Sequence, residues 1–225
     1  YGPRPFGDQF IPDTIIFDID AIADAQAPYS HTAPKLEQVD ALMGGLGITE
    51  KDTILIYDQH GIHMAASRAW WLLKLFGHQG DVHILNGGLP YWLWTGGSVI
   101  RETYKIQPAT YCSSYQADLL VDYTTIQETG CPVLDARDSM RFSAAHIEGS
   151  TNLPFPDLLS DDGRSMRSLE ECENLLSNWA DTNPIYSCGS GVTACVVALA
   201  LHEVYGKMPS IYDGSWTEWS DKFGF

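Results

Sequence analysis

The sequence has few basic residues, no long apolar run and no cysteine pair of the CxxC type. Its 13 Lys and Arg residues stand against 29 Asp and Glu residues, which gives a formal net charge of −16 at pH 7. Such an acidic chain repels phosphate backbones and anionic lipid headgroups. No run approaches the roughly 20 apolar residues that a bilayer span needs. We therefore expect a protein that binds neither nucleic acid nor membrane.

The five cysteines are an odd number, and their spacing fits neither a disulfide scaffold nor a zinc ribbon. Free cysteines are typical of a reducing compartment, so we expect a cytoplasmic location. His60 and His63 lie three residues apart, but a metal normally needs a third ligand and the sequence indicates none. We expect these two histidines to be loop residues, and we expect neither a metal nor an organic cofactor.

The chain contains an internal repeat, with two copies roughly 130 residues apart, a kind of pattern that decides the whole fold. The copies run from Ile54 to Trp92 and from Pro184 to Trp219. Each reads as a short apolar strand, a Gly-bearing loop, an apolar helix, a second strand and a Gly turn. Short strands that alternate with helices predict parallel βαβ units and an α/β fold. In the second copy, Ala194, Val197 and Leu201 are spaced as one apolar helix face.

Residues 99–116 mix charged, aromatic and hydroxyl side chains without periodicity and contain Pro108, which is typical of a linker. We therefore predict an N-terminal domain at 1–98, a linker at 99–116 and a C-terminal domain at 117–225.

Cys188 lies in the segment Tyr186–Thr193, on a Gly-containing loop between a strand end and a helix start. Such a loop directs several backbone N–H groups inward, and together with the helix dipole they would stabilise a thiolate. We expect Cys188 to be a nucleophile. A cysteine phosphatase would carry an arginine six residues later to bind phosphate, but Ala194 stands there. For Cys112, Cys131, Cys172 and Cys195 we expect only the role of small apolar fillers.

These residues and several other segments resemble the tandem-rhodanese sulfurtransferases, and the cysteine loop most resembles their mercaptopyruvate branch. The resemblance is carried by Cys188–Cys195, Val133–Arg137, His146–Phe155, Tyr212–Trp219, Phe17–Asp20 and Gly87–Leu89. It implies two rhodanese-like domains, each a mainly parallel sheet flanked by helices, with the active cysteine in the second. It also implies that the chain lacks the start of the family's first domain, because Phe10–Asp13 already matches a segment that follows a strand and a helix.

The resemblance implies a site as well. Asp20, His31 and Ser190 match a triad-like arrangement of the mercaptopyruvate branch, and Arg141 matches an arginine that binds the anionic group of the donor. For Arg137 we expect a structural pair with Asp135 rather than substrate contact. The residues that would line the bound substrate together with Arg141 are Gly189, Gly191, Val192 and Thr193.

The implied reaction transfers a sulfane sulfur from 3-mercaptopyruvate or thiosulfate, both small anions, through a Cys188 persulfide to cyanide or to a thiol, for example on a thioredoxin-like protein. Two alternatives stay open. The first is a thiosulfate sulfurtransferase, since Arg141 and His146 are only five residues apart and a second substrate-binding arginine of the mercaptopyruvate branch is absent. The second is a non-catalytic rhodanese module that binds a protein partner.

Overall fold

The computed structural model describes residues 4–224, which form two parallel sheets, one in each half of the chain. The elements of the N-terminal half are α1 (Leu36–Gly45), β1 (Ile54–Ile56), α2 (Met64–Leu75), β2 (Val82–Ile84) and α3 (Gly88–Trp94). Those of the C-terminal half are β3 (Leu120–Val121), α4 (Tyr123–Thr129), β4 (Val133–Asp135), α5 (Ser139–Ala144), β5 (Thr151–Asn152), α6 (Leu169–Leu176), β6 (Ile185–Ser187), α7 (Ala194–Tyr205), β7 (Ser210–Tyr212) and α8 (Ser215–Phe223). Short 3-10 turns lie at Ala117–Leu119, Phe155–Leu158 and Ser177–Trp179.

The C-terminal sheet places β6 at its centre, in the strand order β3-β7-β6-β4-β5 with every pair parallel. Ile185 of β6 lies opposite Val133 of β4 and Ser210 of β7. Every residue of β4 and β6 is buried, as expected for parallel strands that are covered on both faces. The carboxyl end of β6 is Ser187, so the residue after it emerges at the sheet edge where α/β proteins bind ligands.

The N-terminal half repeats this arrangement on a smaller scale. Its strands β1 and β2 are parallel, with Ile54 opposite Val82, and helices α2 and α3 follow them as α7 and α8 follow β6 and β7. The predicted internal repeat is therefore confirmed. A cavity of about 450 Å³ lies beside β1 and is lined by apolar side chains that include Phe10 and Phe17.

Helices α2 and α7 pack against each other and join the two halves. Residues 194–201 of α7 are all buried, although the sequence indicated a single apolar face. One side of α7 lies against its own sheet, and another lies against α2, where the rings of Trp70 and His202 are 5.1 Å apart. Because each helix begins at the loop after a strand end, this packing brings the two loops close together.

The segment predicted as a linker contacts α1 and the end of α2. Residues 102–116 contain neither helix nor strand, and the N–H groups of Ser114 and Gln116 donate to carbonyls at the end of α2. The boundaries at 98 and 117 stay a prediction. In the part of the chain that the structure describes, no helix has the length and apolarity needed to cross a bilayer.

Candidate active site

Cys188 is the first residue after the central strand β6, and the loop from 188 to 193 leads directly into α7. The cysteine is only 2% exposed. The strand end fixes its Cα, and the start of α7 lies on the other side of the loop. The predicted strand, loop and helix around Cys188 are thus confirmed.

Residues at the start of α8 hold this loop in place. The Oγ of Ser215 accepts from the N–H of Cys188 and from the N–H of Gly191, both at 3.1 Å, and it donates to the carbonyl of Tyr212 at 2.7 Å. Ser215 is fully buried and has a left-handed φ of 50°. No local pattern singles out this serine, because its role depends on the distance between two loops.

The carbonyls of the loop are engaged as well. The N–H of Trp216 donates to the Cys188 carbonyl at 2.9 Å, and Thr217 donates to the Gly189 carbonyl through its N–H at 3.0 Å and its Oγ1 at 2.6 Å. The carbonyls of the first two loop residues therefore point toward α8. The remaining N–H groups of the loop therefore lie on its opposite side.

Within residues 4–224, no acceptor engages the backbone N–H groups of Gly189, Ser190, Val192 and Thr193. These donors lie beside the N-terminus of the twelve-residue helix α7, whose dipole favours negative charge. The N–H of Gly191 donates to Ser215, and the predicted role of Gly191 in lining the substrate stays a prediction. The loop can thus present N–H groups to an anion.

The structure brings Asp20, His31 and Ser190 together from the two halves of the chain. The Nδ1 of His31 lies 3.0 Å from the Oγ of Ser190, and its Nε2 lies 3.0 Å from the Oδ1 of Asp20. Burial lowers the pKa of His31 below its ordinary value of 6.5, and the nearby charge of Asp20 opposes part of this shift. The imidazole is therefore neutral at pH 7, with one nitrogen on a carboxylate and the other on a hydroxyl of the cysteine loop.

Arg137 has the structural role that we expected. Its guanidinium forms a buried, bidentate ion pair with Asp135, in which Nη2 lies 2.6 Å from Oδ2. The guanidinium also donates to the carbonyl of Ala145 at 2.9 Å. It also lies over the ring of Trp216, at 4.6 Å from the centroid. These contacts tie β4, α5 and α8 together.

Arg141 has a different environment from Arg137. Its side chain is 77% exposed, and its Nε lies 3.3 Å from the Oδ2 of Asp138 on the same turn. In the described part of the chain, neither a hydrogen bond nor an ion pair joins Arg141 to residues 188–193. Its predicted role in binding the donor stays a prediction.

The Rhodanese-like domain family matches this chain twice, over residues 8–94 and 120–222. The chain belongs to the rhodanese family. The two matches cover both halves, so the predicted fold of two tandem rhodanese-like domains is confirmed.

Relatives of this rhodanese chain carry enzyme names. It is 34% identical to 3-mercaptopyruvate sulfurtransferase of Homo sapiens over 236 residues, which cover 96% of this chain and 78% of the relative. It is 31% identical to thiosulfate sulfurtransferase of Mus musculus, with 96% and 79% covered. For Thiosulfate/3-mercaptopyruvate sulfurtransferase 1, mitochondrial, of Arabidopsis thaliana, the identity is 32% and the chain spans 65% of the relative.

Solved structures agree with these relatives. SseA from Escherichia coli, described as a 3-mercaptopyruvate sulfotransferase, superposes with a TM-score of 0.84 at 29% identity, covering 95% of this chain and 85% of that one. Tum1 from Saccharomyces cerevisiae gives 0.83 at 26% identity, with 96% and 82% covered. The rhodanese described here is thus a sulfurtransferase, rather than a non-catalytic module.

The other cysteines of the rhodanese chain fall into two groups. Cys172 and Cys195 are buried, as expected, and burial raises the pKa of Cys195 to about 12, so it stays a thiol. The expectation was wrong for Cys112 and Cys131, which are exposed. Cys112 lies in the linker segment and Cys131 follows the glycine that ends α4, so neither faces a sheet.

Sequence reasoning missed a buried ion pair beside the rhodanese loop. Arg68 of α2 is 1% exposed, and its Nη2 lies 2.7 Å from the Oδ1 of Asp213, which follows β7. A signal was present, because Arg68 is the one charged residue in the mainly apolar stretch of helix between Ala65 and Leu73. A charged residue that is buried without reaching water needs a charged partner.

Proposed function

We propose that Cys188 takes a sulfur atom from 3-mercaptopyruvate and passes it, as a persulfide, to an acceptor thiol. Membership in a family of sulfurtransferases supports the reaction type. One observation carries the choice of donor, and it is the contact between His31 and Ser190 at 3.0 Å. It supplies a proton relay inside the cysteine loop.

In the first half-reaction the thiolate of Cys188 attacks the sulfur of the donor. An S–S bond forms, the C–S bond breaks, and its electron pair stays on carbon as the enolate of pyruvate. The proton of the donor thiol must then reach that carbon, so that the products are pyruvate and the persulfide anion. We assign this transfer to Ser190 and His31, with Asp20 orienting the imidazole.

The N–H groups of Gly189, Ser190, Val192 and Thr193 would stabilise negative charge on the sulfur atoms in both half-reactions. In the second half-reaction an acceptor thiolate attacks the outer sulfur, a new S–S bond forms, and the Cys188 thiolate leaves. We propose a small thiol or a thioredoxin-like protein as this acceptor. Arg141 would bind the carboxylate of the donor after exchanging its contact with Asp138.

The site is less suited to thiosulfate as the sulfur donor. Attack on its outer sulfur breaks an S–S bond and releases sulfite, and this leaving group needs no proton. Thiosulfate also carries two negative charges, while the side chains of the loop at Gly189 and Ser190 are small and neutral. The relay and the neutral loop both favour the keto acid over thiosulfate.

A mass measurement tests the persulfide. The chain is incubated with 3-mercaptopyruvate, and its intact mass is recorded before and after dithiothreitol. Because Cys112 and Cys131 are exposed, they are replaced by serine in every sample. We expect a gain of one sulfur atom that dithiothreitol removes and that Cys188→Ser lacks. A gain that persists in Cys188→Ser would refute the assignment.

Donor kinetics test the relay. We expect Ser190→Ala to lower kcat/KM for 3-mercaptopyruvate by about tenfold to a hundredfold and to leave thiosulfate nearly unaffected. Ser190→Lys should shift preference toward thiosulfate through added positive charge. Ser177→Ala, a change at a serine that follows α6 and donates only to the Asn174 carbonyl, serves as the matched control. Equal losses for both donors in Ser190→Ala would contradict the proposed choice of donor.

A further inference from the structure

The buried residue Arg68, paired with Asp213, donates to the main chain at His31 and at the residue that follows Ser190. The Nη2 of Arg68 donates to the carbonyl of His31 at 2.5 Å, and its Nη1 donates to the carbonyl of Gly191 at 3.2 Å. Gly191 is the next residue after Ser190. One guanidinium therefore bonds to the main chain on both sides of the contact between His31 and Ser190.

Asp213 completes this arrangement from the C-terminal domain. Its Oδ1 lies 2.7 Å from the Nη2 of Arg68, and its Oδ2 accepts from the N–H of Ala33 at 2.7 Å. The segment that carries His31 is thus held at its carbonyl by Arg68 and two residues later by Asp213. The guanidinium also lies over the ring of Trp71, at 4.5 Å from the centroid, so α2 itself limits its movement.

The main chain at His31 has a conformation that needs such support, and Gly191, which follows Ser190, is left-handed as well. His31 has a left-handed φ of 63°, which a residue with a Cβ rarely adopts, and Gly191 has a φ of 74°. A Cβ at Gly191 would lie 2.9 Å from two oxygens of Asp213 and 3.1 Å from the Nη1 of Arg68. The ion pair therefore fills the space behind the loop and sets how near the loop comes to His31.

We propose that Arg68 is a positioning residue of the N-terminal domain that fixes His31 against Ser190 for proton transfer. The inference rests on the proposed relay. Arg68 touches the carbonyls of residues 31 and 191 rather than reacting atoms, so it acts through them. With Asp20 and His31, it would be a third residue of the N-terminal domain that serves the chemistry.

A single substitution cannot test this role alone, because Arg68→Met would leave Asp213 buried and unpaired and would destabilise the fold. The double variant Arg68→Met with Asp213→Asn removes both charges, and the amide oxygen of asparagine can still accept from Ala33. Replacing both members of a buried pair by neutral groups of similar volume is often close to neutral for stability. We expect the double variant to recover the melting temperature to within about 4 °C of the wild type.

Activity should not recover with stability. In the double variant, kcat for 3-mercaptopyruvate should stay at least about tenfold below the wild type, while KM changes by less than about threefold, because Arg68 does not bind the donor. Arg68→Lys, which keeps the charge but has one nitrogen for three acceptors, should give an intermediate kcat. Recovery of kcat together with the melting temperature would show a merely structural role and would overturn the proposal.

An imidazole ¹H–¹⁵N correlation spectrum provides a readout without turnover, with the His31 signals assigned by their loss in His31→Asn. We expect the double variant to shift the Nδ1 signal of His31, because its hydrogen bond to Ser190 is released. An unchanged His31 signal would refute the positioning role. If instead Ser190→Ala left the turnover of 3-mercaptopyruvate unchanged, the proposed relay would fail, while the spectrum would still report whether Arg68 positions His31.

Discussion

The hydroxyl of Ser215 should contribute more to the free energy of unfolding than any other serine hydroxyl near the site. Its buried Oγ makes three hydrogen bonds, accepting from the N–H groups of Cys188 and Gly191 and donating to the carbonyl of Tyr212. Ser215→Ala removes all three and adds no new contact. Ser187 provides the matched control, because it is equally buried and its Oγ has no hydrogen-bond partner among residues 4–224.

The expected loss follows from the number of bonds. A net contribution of about 1 kcal/mol for each hydrogen bond predicts that Ser215→Ala lowers the free energy of unfolding by about 3 kcal/mol. For a chain of this length that corresponds to a fall of about 6–12 °C in Tm. Ser187→Ala removes only an unpaired polar atom, so its free energy of unfolding should stay the same or rise by up to about 1 kcal/mol.

Thermal and urea unfolding, followed by tryptophan fluorescence, measure both variants. Ser215→Ala should lower the urea midpoint at an unchanged slope, since the surface exposed on unfolding stays the same. It should also lower kcat, because the N–H groups of Cys188 and Gly191 lose the acceptor that shapes the loop. A loss below about 1 kcal/mol, or equal losses for Ser187→Ala and Ser215→Ala, would refute the role assigned to this hydroxyl.

Four further predictions concern the same site. Because burial lowers the pKa of His31, kcat/KM for 3-mercaptopyruvate should stay level down to about pH 6.5 and fall below it, and His31→Asn should lack this acid limb. The imidazole of His31 binds a proton more readily in the unfolded chain than in the folded one. The stability contributed by His31 should therefore also fall as the pH drops through about 6.5, which is measured by unfolding at several pH values. Arg141→Ala should raise KM for anionic donors and leave the alkylation rate of the catalytic thiol unchanged, and equal slowing of alkylation and turnover would show that its role is wrong. Gly191→Ala should lower Tm, since its φ of 74° costs a residue with a Cβ about 1–2 kcal/mol, whereas Gly189→Ala, where a Cβ meets nothing within 4 Å, should not.

Much of this protein follows from local patterns in the sequence. The alternation of short apolar strands and helices determined the α/β class, and the internal repeat determined two similar domains. The position of Cys188 between a strand and a helix was predictable because those elements are neighbours in the chain. The pair of Asp135 and Arg137 was predictable for the same reason, since the two residues are only two positions apart in the chain.

The triad of Asp20, His31 and Ser190 was predictable from the sequence in a different way. Its residues were found by resemblance to a family, and not by their spacing, because His31 and Ser190 are 159 positions apart. No local pattern relates positions so distant. Only the packing of α2 against α7 places the N-terminal segment beside the cysteine loop.

The roles of Ser215 and of the pair of Arg68 and Asp213 depend on the tertiary structure. A serine after a strand is ordinary in sequence, and an arginine in an apolar helix indicates a buried charge without indicating its partner. Both residues have their roles because they are buried beside a loop from another part of the chain. Arg68 donates to Gly191 across 123 positions because α2 is buried and its guanidinium finds polar partners at the carbonyl of His31 and, across the domain interface, at Gly191 and Asp213. A buried charge must be paired, and the sequence does not state which distant carboxylate will pair it.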